Sequence, residues 1–246
     1  MNLGNNTVLI TGGASGIGLS LASHFVQRDS TVVICGRNKG KLEEAKARYP
    51  QITTYVCDVA NSAERIAMFK WISSEFPKLN ILINNAGIQR RGLQLVQEHA
   101  WETLSEEITI NLEAPIHLAM LFIPQLLKQE DPIIINVTSA LAFVPLSIAP
   151  IYSATKAALH SFTLSLRQQL VDSRISVLEI IPPAVNTDLG GKGLHTSGVD
   201  VNEFTSAIVN QLESGQLEAS YGLATESSRA SREQLDLIFK RLNQGR

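Results

Sequence analysis

Two cysteines in 246 residues, Cys35 and Cys57, exclude a disulfide framework and stand at no metal-ligand spacing. Both are expected as buried small apolar side chains in a reducing compartment. Charge of one sign is missing too. Lys and Arg number 21 against 23 Asp and Glu, a formal net charge of −2, so nucleic-acid binding has little electrostatic support. No apolar run reaches the roughly 18 residues of a membrane span, and the opening MNLGNN has no basic stretch leading into an apolar one. A cytoplasmic chain with neither nucleic acid nor membrane as partner is the expectation. The histidines, His24, His99, His117, His160 and His195, are scattered without H-E-x-x-H or another ligand spacing, so no metal site is expected. His160 reads as a packing residue.

What is present is apolar sequence in short runs. With 44% apolar residues and no repeat, low-complexity tract or linker, the chain reads as a single domain over 1–246 with one extensive core. β-Branched runs at 7–10, 31–35, 52–56, 81–83, 133–137 and 175–181 read as buried parallel strands. Between them lie helical stretches at 18–27, 39–48, 63–75, 101–128 and 153–171. Such alternation implies right-handed βαβ units and an α/β, doubly wound Rossmann fold, a parallel sheet of about seven strands with helices on both faces. Four glycines in residues 190–198, GGKGLHTSG, predict a mobile loop before a helix at 201–212, so that 190–215 forms a substrate loop and helix. A helical tail follows over 223–246.

The segment TGGASGIG follows the first strand and opens the first helix, the setting a dinucleotide-binding turn requires. Gly12, Gly16 and Gly18 permit a tight turn and close approach of a pyrophosphate to the helix N-terminus, where free N–H groups favour an anion. Ser15 and Ile17 lie in the same turn. After the second strand comes Cys35-Gly-Arg-Asn38, with no Asp or Glu to hold a ribose 2′-hydroxyl. Arg37 can instead pair with a 2′-phosphate, or can face solvent at the start of the next helix. NADP(H) is therefore preferred as cofactor, with NAD(H) still open.

Tyr152-Ser-Ala-Thr-Lys156 places a phenol and an ammonium one helical turn apart. A phenol near pKa 10 is a poor acid–base catalyst at neutral pH, and a nearby ammonium favours its charged form. Ser139 ends the fifth strand, where its hydroxyl can cap a turn; Asn111, in TINLEAP, can be a polar residue that kinks a helix. Asn84 and Asn85 can brace the central strands or touch a cofactor.

Taken together, TGGASGIG, Asp58 in CDV, Asn84-Asn-Ala-Gly87, Asn111, Ser139 and YSATK resemble the short-chain dehydrogenase/reductase family over residues 5–190, in the family's order and with Ser139 thirteen residues before Tyr152. The resemblance implies that Asn111, Ser139, Tyr152 and Lys156 are catalytic, with Asn111 in a water-held proton relay to Lys156. It further implies that Asp58 and Val59 contact the adenine, that Asn85, Ala86 and Gly87 line the cofactor, and that Val185 and Thr187 hold the nicotinamide carboxamide. Tyr152 exchanges a proton with the substrate oxygen, Ser139 hydrogen-bonds that oxygen, and Lys156 also reaches the nicotinamide ribose. Two departures stand out: Pro182-Pro183 replaces the family's Pro-Gly, and the tail lacks the usual glycine-rich final strand. That tail is similar to the bacterial DltE-like branch, a likeness that carries no substrate.

The implied activity is reversible hydride transfer between NADP(H) and an alcohol or carbonyl carbon. The expected pocket, Leu141, Phe143, Pro145, Ile148, Leu189, Leu194 and His195, is mostly apolar and suits a small or medium hydrophobic substrate. Arg90, Arg91 and Lys192 can meet an anionic group or remain solvated. A non-catalytic NADP(H)-sensing protein on the same fold is the alternative, although a binding module has no need of the Tyr–Lys pair. The apolar surplus on the helix carrying Leu159, Phe162, Leu164 and Leu166 suggests a partner subunit, and the resemblance implies a homodimer or homotetramer.

Overall fold

The computed structural model describes residues 2–244; the first residue and the last two of the expected tail lie outside the described residues. Seven strands form one all-parallel sheet in the order β3-β2-β1-β4-β5-β6-β7. They are β1 (Thr7–Thr11), β2 (Thr31–Gly36), β3 (Thr53–Val56), β4 (Ile81–Asn84), β5 (Ile133–Val137), β6 (Ser176–Ile181) and β7 (Glu218–Ser220). The six apolar runs therefore become strands with ends shifted by a residue at most. β7 is three residues long, too short to announce itself by pattern.

Helices cover both faces, because each strand side chain alternates between them. Val8, Ile10 and Ile34 pack with Leu21 and Phe25 of α1 (Gly16–Val26) and with Phe204 and Ile208 of α7 (Val201–Glu213). Leu9, Val33 and Leu82 pack the other way, against Met68 and Ile72 of α3 (Ser62–Glu75) and Leu118 and Phe122 of α5 (Ala114–Leu126). Between β2 and β3, α2 (Lys39–Arg48) starts at Asn38, whose side chain accepts from Lys41 N at 3.0 Å.

The stretch expected as one helix at 101–128 is interrupted. α4 (Trp101–Ile108) leads into a π-helical turn at Thr109–Glu113, and α5 follows. Pro115 explains the break: it cannot donate the bond that an α-helix would direct to the Asn111 carbonyl, and Ala114 N–H bonds instead to Thr109 O. The helix expected at 153–171 begins earlier, as α6 (Pro150–Gln169), with proline in the first turn where no N–H is needed. The tail divides into α8 (Leu223–Arg229) and α9 (Arg232–Asn243), the second opened by a reciprocal Ser231–Gln234 cap. No described helix is long and apolar enough to cross a membrane.

Strand order reverses between β1 and β4. A crevice opens there, at the carboxyl ends of the strands, as parallel sheets of this kind dictate.

Candidate active site

A cleft of about 1150 Å³ occupies that crevice. Its floor at one end is the glycine turn. Gly12 and Gly16 have φ of 63° and 52°, the left-handed region, and a Cβ on Gly12 would stand 2.9 Å from Ala86 Cα. Ser15 is the N-cap of α1, yet its side chain makes no capping bond, so the first N–H groups of the helix are left to an anion. These observations fit a dinucleotide pyrophosphate. Gly13 was not among the glycines singled out from the sequence, but it is as constrained as the others: a Cβ there would fall 2.6 Å from Ile34 Cβ.

Asn85 braces this end. Its Nδ2 donates to Thr11 O at 2.9 Å and Gly12 O at 3.1 Å, and the Asn85 and Ala86 N–H groups both donate to Thr11 Oγ1 at 3.0 Å. Asn84 is turned into the sheet, donating to Asn136 Oδ1 at 2.9 Å. Bracing thus describes both asparagines, while Asn85, Ala86 and Gly87 also line the cleft. Val185 and Thr187 line it despite Pro182-Pro183, and the Thr187 methyl lies 3.2 Å from where a Gly16 Cβ would stand. Asp58 and Val59, by contrast, form no part of the cleft wall. Asp58 Oδ1 accepts from Ala60 N at 3.0 Å and Val59 O from Arg65 at 2.6 Å, which ties both to the start of α3. Arg37 lines the cleft and is more than half exposed, with Nη1 paired to Glu106 at 2.9 Å.

The tetrad converges at the other end. Ser139 lies two residues beyond the end of β5 in extended conformation; its Oγ accepts from Leu141 N at 3.1 Å, which leaves its own hydrogen to donate. Tyr152 and Lys156 project from the first two turns of α6, both buried. Lys156 Nζ donates to Val137 O at 2.8 Å and lies 5.6 Å from the centroid of the Tyr152 ring. Lysine was expected to lower the phenol pKa. In this arrangement burial dominates: Tyr152 is pushed up to about 12, opposed by the Ser139 hydroxyl, and Lys156 is pushed down to about 8.

Asn111 uses its side chain as a clamp. Oδ1 accepts from Ile88 N at 2.9 Å, and Nδ2 donates to Ile88 O at 2.9 Å and Thr155 Oγ1 at 3.2 Å. Its amide therefore ties the loop after β4 to α6. Gly87 is the spacer between Asn111 and Lys156, for a Cβ there would meet Asn111 Oδ1 at 3.3 Å and Lys156 Nζ at 3.6 Å.

Of the expected substrate pocket, Leu141, Leu189, Leu194 and His195 line the cleft. Phe143, Pro145 and Ile148 do not. Phe143 packs edge-on against His160 with centroids 4.7 Å apart, and Val144 and Leu146 face the cleft in place of the other two. Lys192 stays out of the wall, and Arg91 enters it. His160 does more than pack: Nδ1 lies 2.9 Å from an oxygen of the fully buried Glu179, which raises the histidine pKa.

Sequence reasoning missed the tail. Ile238 and Leu242 of α9 line the cleft, and Leu242 packs against the cluster of Leu146, Ala149 and Tyr152. Asn243 pins that end of α9, accepting from Ser147 N at 2.7 Å and donating to Pro145 O at 3.1 Å. The available signal was the stripe Leu235, Ile238, Leu242 at helical spacing, which marks a buried face without saying what buries it.

Residues 6–197 match the family model described as short chain dehydrogenase. The chain is 43% identical, over an aligned length of 251 residues covering 99% of it and 98% of the relative, to a Bacillus subtilis protein named uncharacterized oxidoreductase DltE. Among solved structures, a short-chain dehydrogenase from Sphingobium yanoikuyae in complex with NADPH is 26% identical with a TM-score of 0.81, covering 98% of each chain. One from Burkholderia phymatum in complex with NAD has a TM-score of 0.84 at 18% identity, covering 97% of this chain and 96% of the other, a likeness of fold. The chain belongs to the short-chain dehydrogenase/reductase family of oxidoreductases, which use nicotinamide cofactors.

Proposed function

We propose that the chain is an NADP(H)-dependent oxidoreductase that moves hydride reversibly between nicotinamide and the alcohol or carbonyl carbon of a small or medium, largely apolar substrate. The observation that carries this reading is the convergence of Ser139, Tyr152 and Lys156 on the wall of the same cleft that the glycine turn lines. The bound cofactor supplies the hydride. In reduction Tyr152 donates its phenolic proton to the substrate oxygen, and the hydroxyl hydrogen of Ser139 turns to the same oxygen as charge develops there. Lys156 commits one of its three N–H bonds to Val137 O, and the remaining two are available to the cofactor ribose and to proton return. Asn111 fixes the loop that carries Gly87 and so sets the space in which Lys156 works.

Arg37 supports the NADP(H) preference. One guanidinium nitrogen is engaged by Glu106, and the remaining N–H donors suit a 2′-phosphate. NADPH and NADH titrations of the wild type and of Arg37→Asp test it, alongside turnover over a panel of ketones, aldehydes and alcohols. The expected result is turnover with NADPH and a loss of roughly tenfold or more in NADPH preference on substitution, since one lost charge-assisted contact is worth about 1.5–3 kcal/mol. Unchanged selectivity means that another residue reads the phosphate.

The apolar wall supports the substrate class. Leu242→Ala shortens the side chain packed near Tyr152, and we expect kcat/KM for bulky ketones to rise relative to small ones by roughly tenfold, the scale of a few methylenes in an apolar pocket. Equal ratios in the two proteins would place the substrate elsewhere in the cleft.

A further inference from the structure

Glu107 is a buried acid to which the proposed chemistry gives no task. It lies on α4, one turn before Asn111, and is 1% exposed. Its Oε1 accepts from the Arg90 backbone N–H at 3.0 Å, and its enclosed Oε2 receives no hydrogen bond from any described residue. An anchor for the loop after β4 needs one acceptor, which an uncharged glutamine would provide without burying a carboxylate. The surplus oxygen points to a second role.

α4 packs against α6, and the bridge between them lies at the catalytic pair. Asn111 donates to Thr155, the neighbour of Lys156, while Asn111 Oδ1 and Lys156 Nζ both approach the same side of Gly87. Lys156 is 3% exposed and donates to a main-chain carbonyl. A buried ammonium is costly without a counter-charge. Two acids on the surrounding elements act on it through space, Glu107 of α4 and Glu179 of β6, while its hydrogen bond goes to Val137 O. Glu179 is already engaged, by Thr138 Oγ1 at 2.5 Å and by His160 of α6. Glu107 is the acid with an oxygen to spare.

Resting on the reading of Tyr152 and Lys156 as the catalytic pair, we propose that Glu107 is a positioning residue: its carboxylate is the counter-charge of the Lys156 ammonium and holds the pair in the proton-loaded form that carbonyl reduction consumes. The bound cofactor would supply the hydride for the new C–H bond and be oxidised, while the substrate oxygen, receiving the C=O π pair, would take the Tyr152 proton. Glu107 gives up no proton in this step. It acts as a fixed charge.

The surrounding charges agree in sign. Burial lowers Lys156 to about 8, and Glu107 is the first charge that pushes it back up. The same carboxylate holds the Tyr152 phenol up, adding to burial, while Arg91 acts on Tyr152 the opposite way. Burial also raises Glu107 itself, countered by Arg90 and Lys156; the adjacent Glu106 is turned toward Arg90 and Arg37. Removing the Glu107 charge therefore lets Lys156 and Tyr152 lose protons at lower pH.

Glu107→Gln keeps the acceptor for Arg90 N–H and removes the charge. Rates of NADPH-driven reduction and of NADP-driven oxidation are to be followed from about pH 5.5 to 9.5, where the alkaline fall of reduction is expected about one pH unit lower in the variant. Reduction at the alkaline end is expected to fall roughly tenfold and oxidation near neutrality to rise. Glu107→Asp, which keeps the charge, is expected to restore most of the wild-type profile. Lys156, titrated by NMR in protein labelled at the lysine ε-carbons, is expected to lose its proton at lower pH in Glu107→Gln than in wild type. Loss of rate in both directions with an unshifted profile, or an unchanged Lys156 titration, overturns the proposal and leaves Glu107 an anchor. Turnover that survives Tyr152→Phe in a chain with Glu107 intact overturns the underlying reading instead, a result independent of the Glu107 variants.

Discussion

Tyr152→Phe is expected to lower turnover by on the order of 10³-fold while leaving NADPH affinity within about twofold. The size follows from what the phenol does alone. Phenylalanine keeps the ring, so the packing with Leu146, Ala149 and Leu242 survives, as does the ring face beneath Lys156 Nζ. Only the hydroxyl is lost. Ser139 still donates to the substrate oxygen but has no base beside it to replace the proton it would give, and Lys156, committed to Val137 O, sits over the ring rather than at the reacting atom. General acid–base groups contribute typically 10²–10⁴-fold, and among the described residues no second acid is placed to take over. Single-turnover reduction of a good substrate, with cofactor binding followed separately by NADPH fluorescence, checks the result. Retained turnover would assign the proton to another group, whereas lost cofactor affinity would show that the hydroxyl organises the site rather than reacts in it.

The features legible in sequence are those whose physics is local. Apolar runs such as Val8–Ile10 and Ile133–Ile135 are buried on both faces and read as strands at once. The glycine turn and the Tyr152–Lys156 spacing are also short-range, and both land in the cleft. What escaped depends on partners far away in the chain. Gly13 is constrained by Ile34, and α9 is held by a contact between Asn243 and Ser147, 96 residues apart. Nothing in the stripe Leu235, Ile238, Leu242 names the loop it covers. Glu107 was hidden by its neighbour: Glu106-Glu107 reads as a solvated helix face, yet Glu106 turns to Arg37 and Arg90 while Glu107 turns inward. Phe143 and Leu146 show the same limit at shorter range. After Ser139 the chain enters a turn of 3₁₀ helix, Ala140–Ala142, and residue spacing along that loop does not tell which side chains face the cleft.

Gly18→Ala is expected to weaken NADPH binding by roughly tenfold to a hundredfold and to destabilise the fold by about 2–6 kcal/mol. A methyl at Gly18 would stand 2.5 Å from the Gly12 carbonyl oxygen and 2.5 Å from Asn85 Nδ2. Neither can yield. Gly12 is held at φ 63° against Ala86 Cα, and Asn85 Nδ2 is the group that ties the turn to β1 through Thr11 O and Gly12 O. Overpacking of this kind costs about 1–3 kcal/mol, and loss of a buried hydrogen bond adds about 1–3 kcal/mol where its partners are left unsatisfied. Binding suffers because the displaced atoms form the floor on which a pyrophosphate would lie. Gly40→Ala is the internal control: its Cβ would meet Asn38 Oδ1 at an unstrained 3.4 Å, within α2, where alanine is preferred by about 0.5–1 kcal/mol. Urea unfolding and NADPH titration of the two variants should therefore move apart, Gly18→Ala losing stability and affinity and Gly40→Ala gaining slightly in the first and unchanged in the second. A Gly18→Ala protein that binds like the wild type would mean that the cofactor approaches the sheet by some route other than this turn.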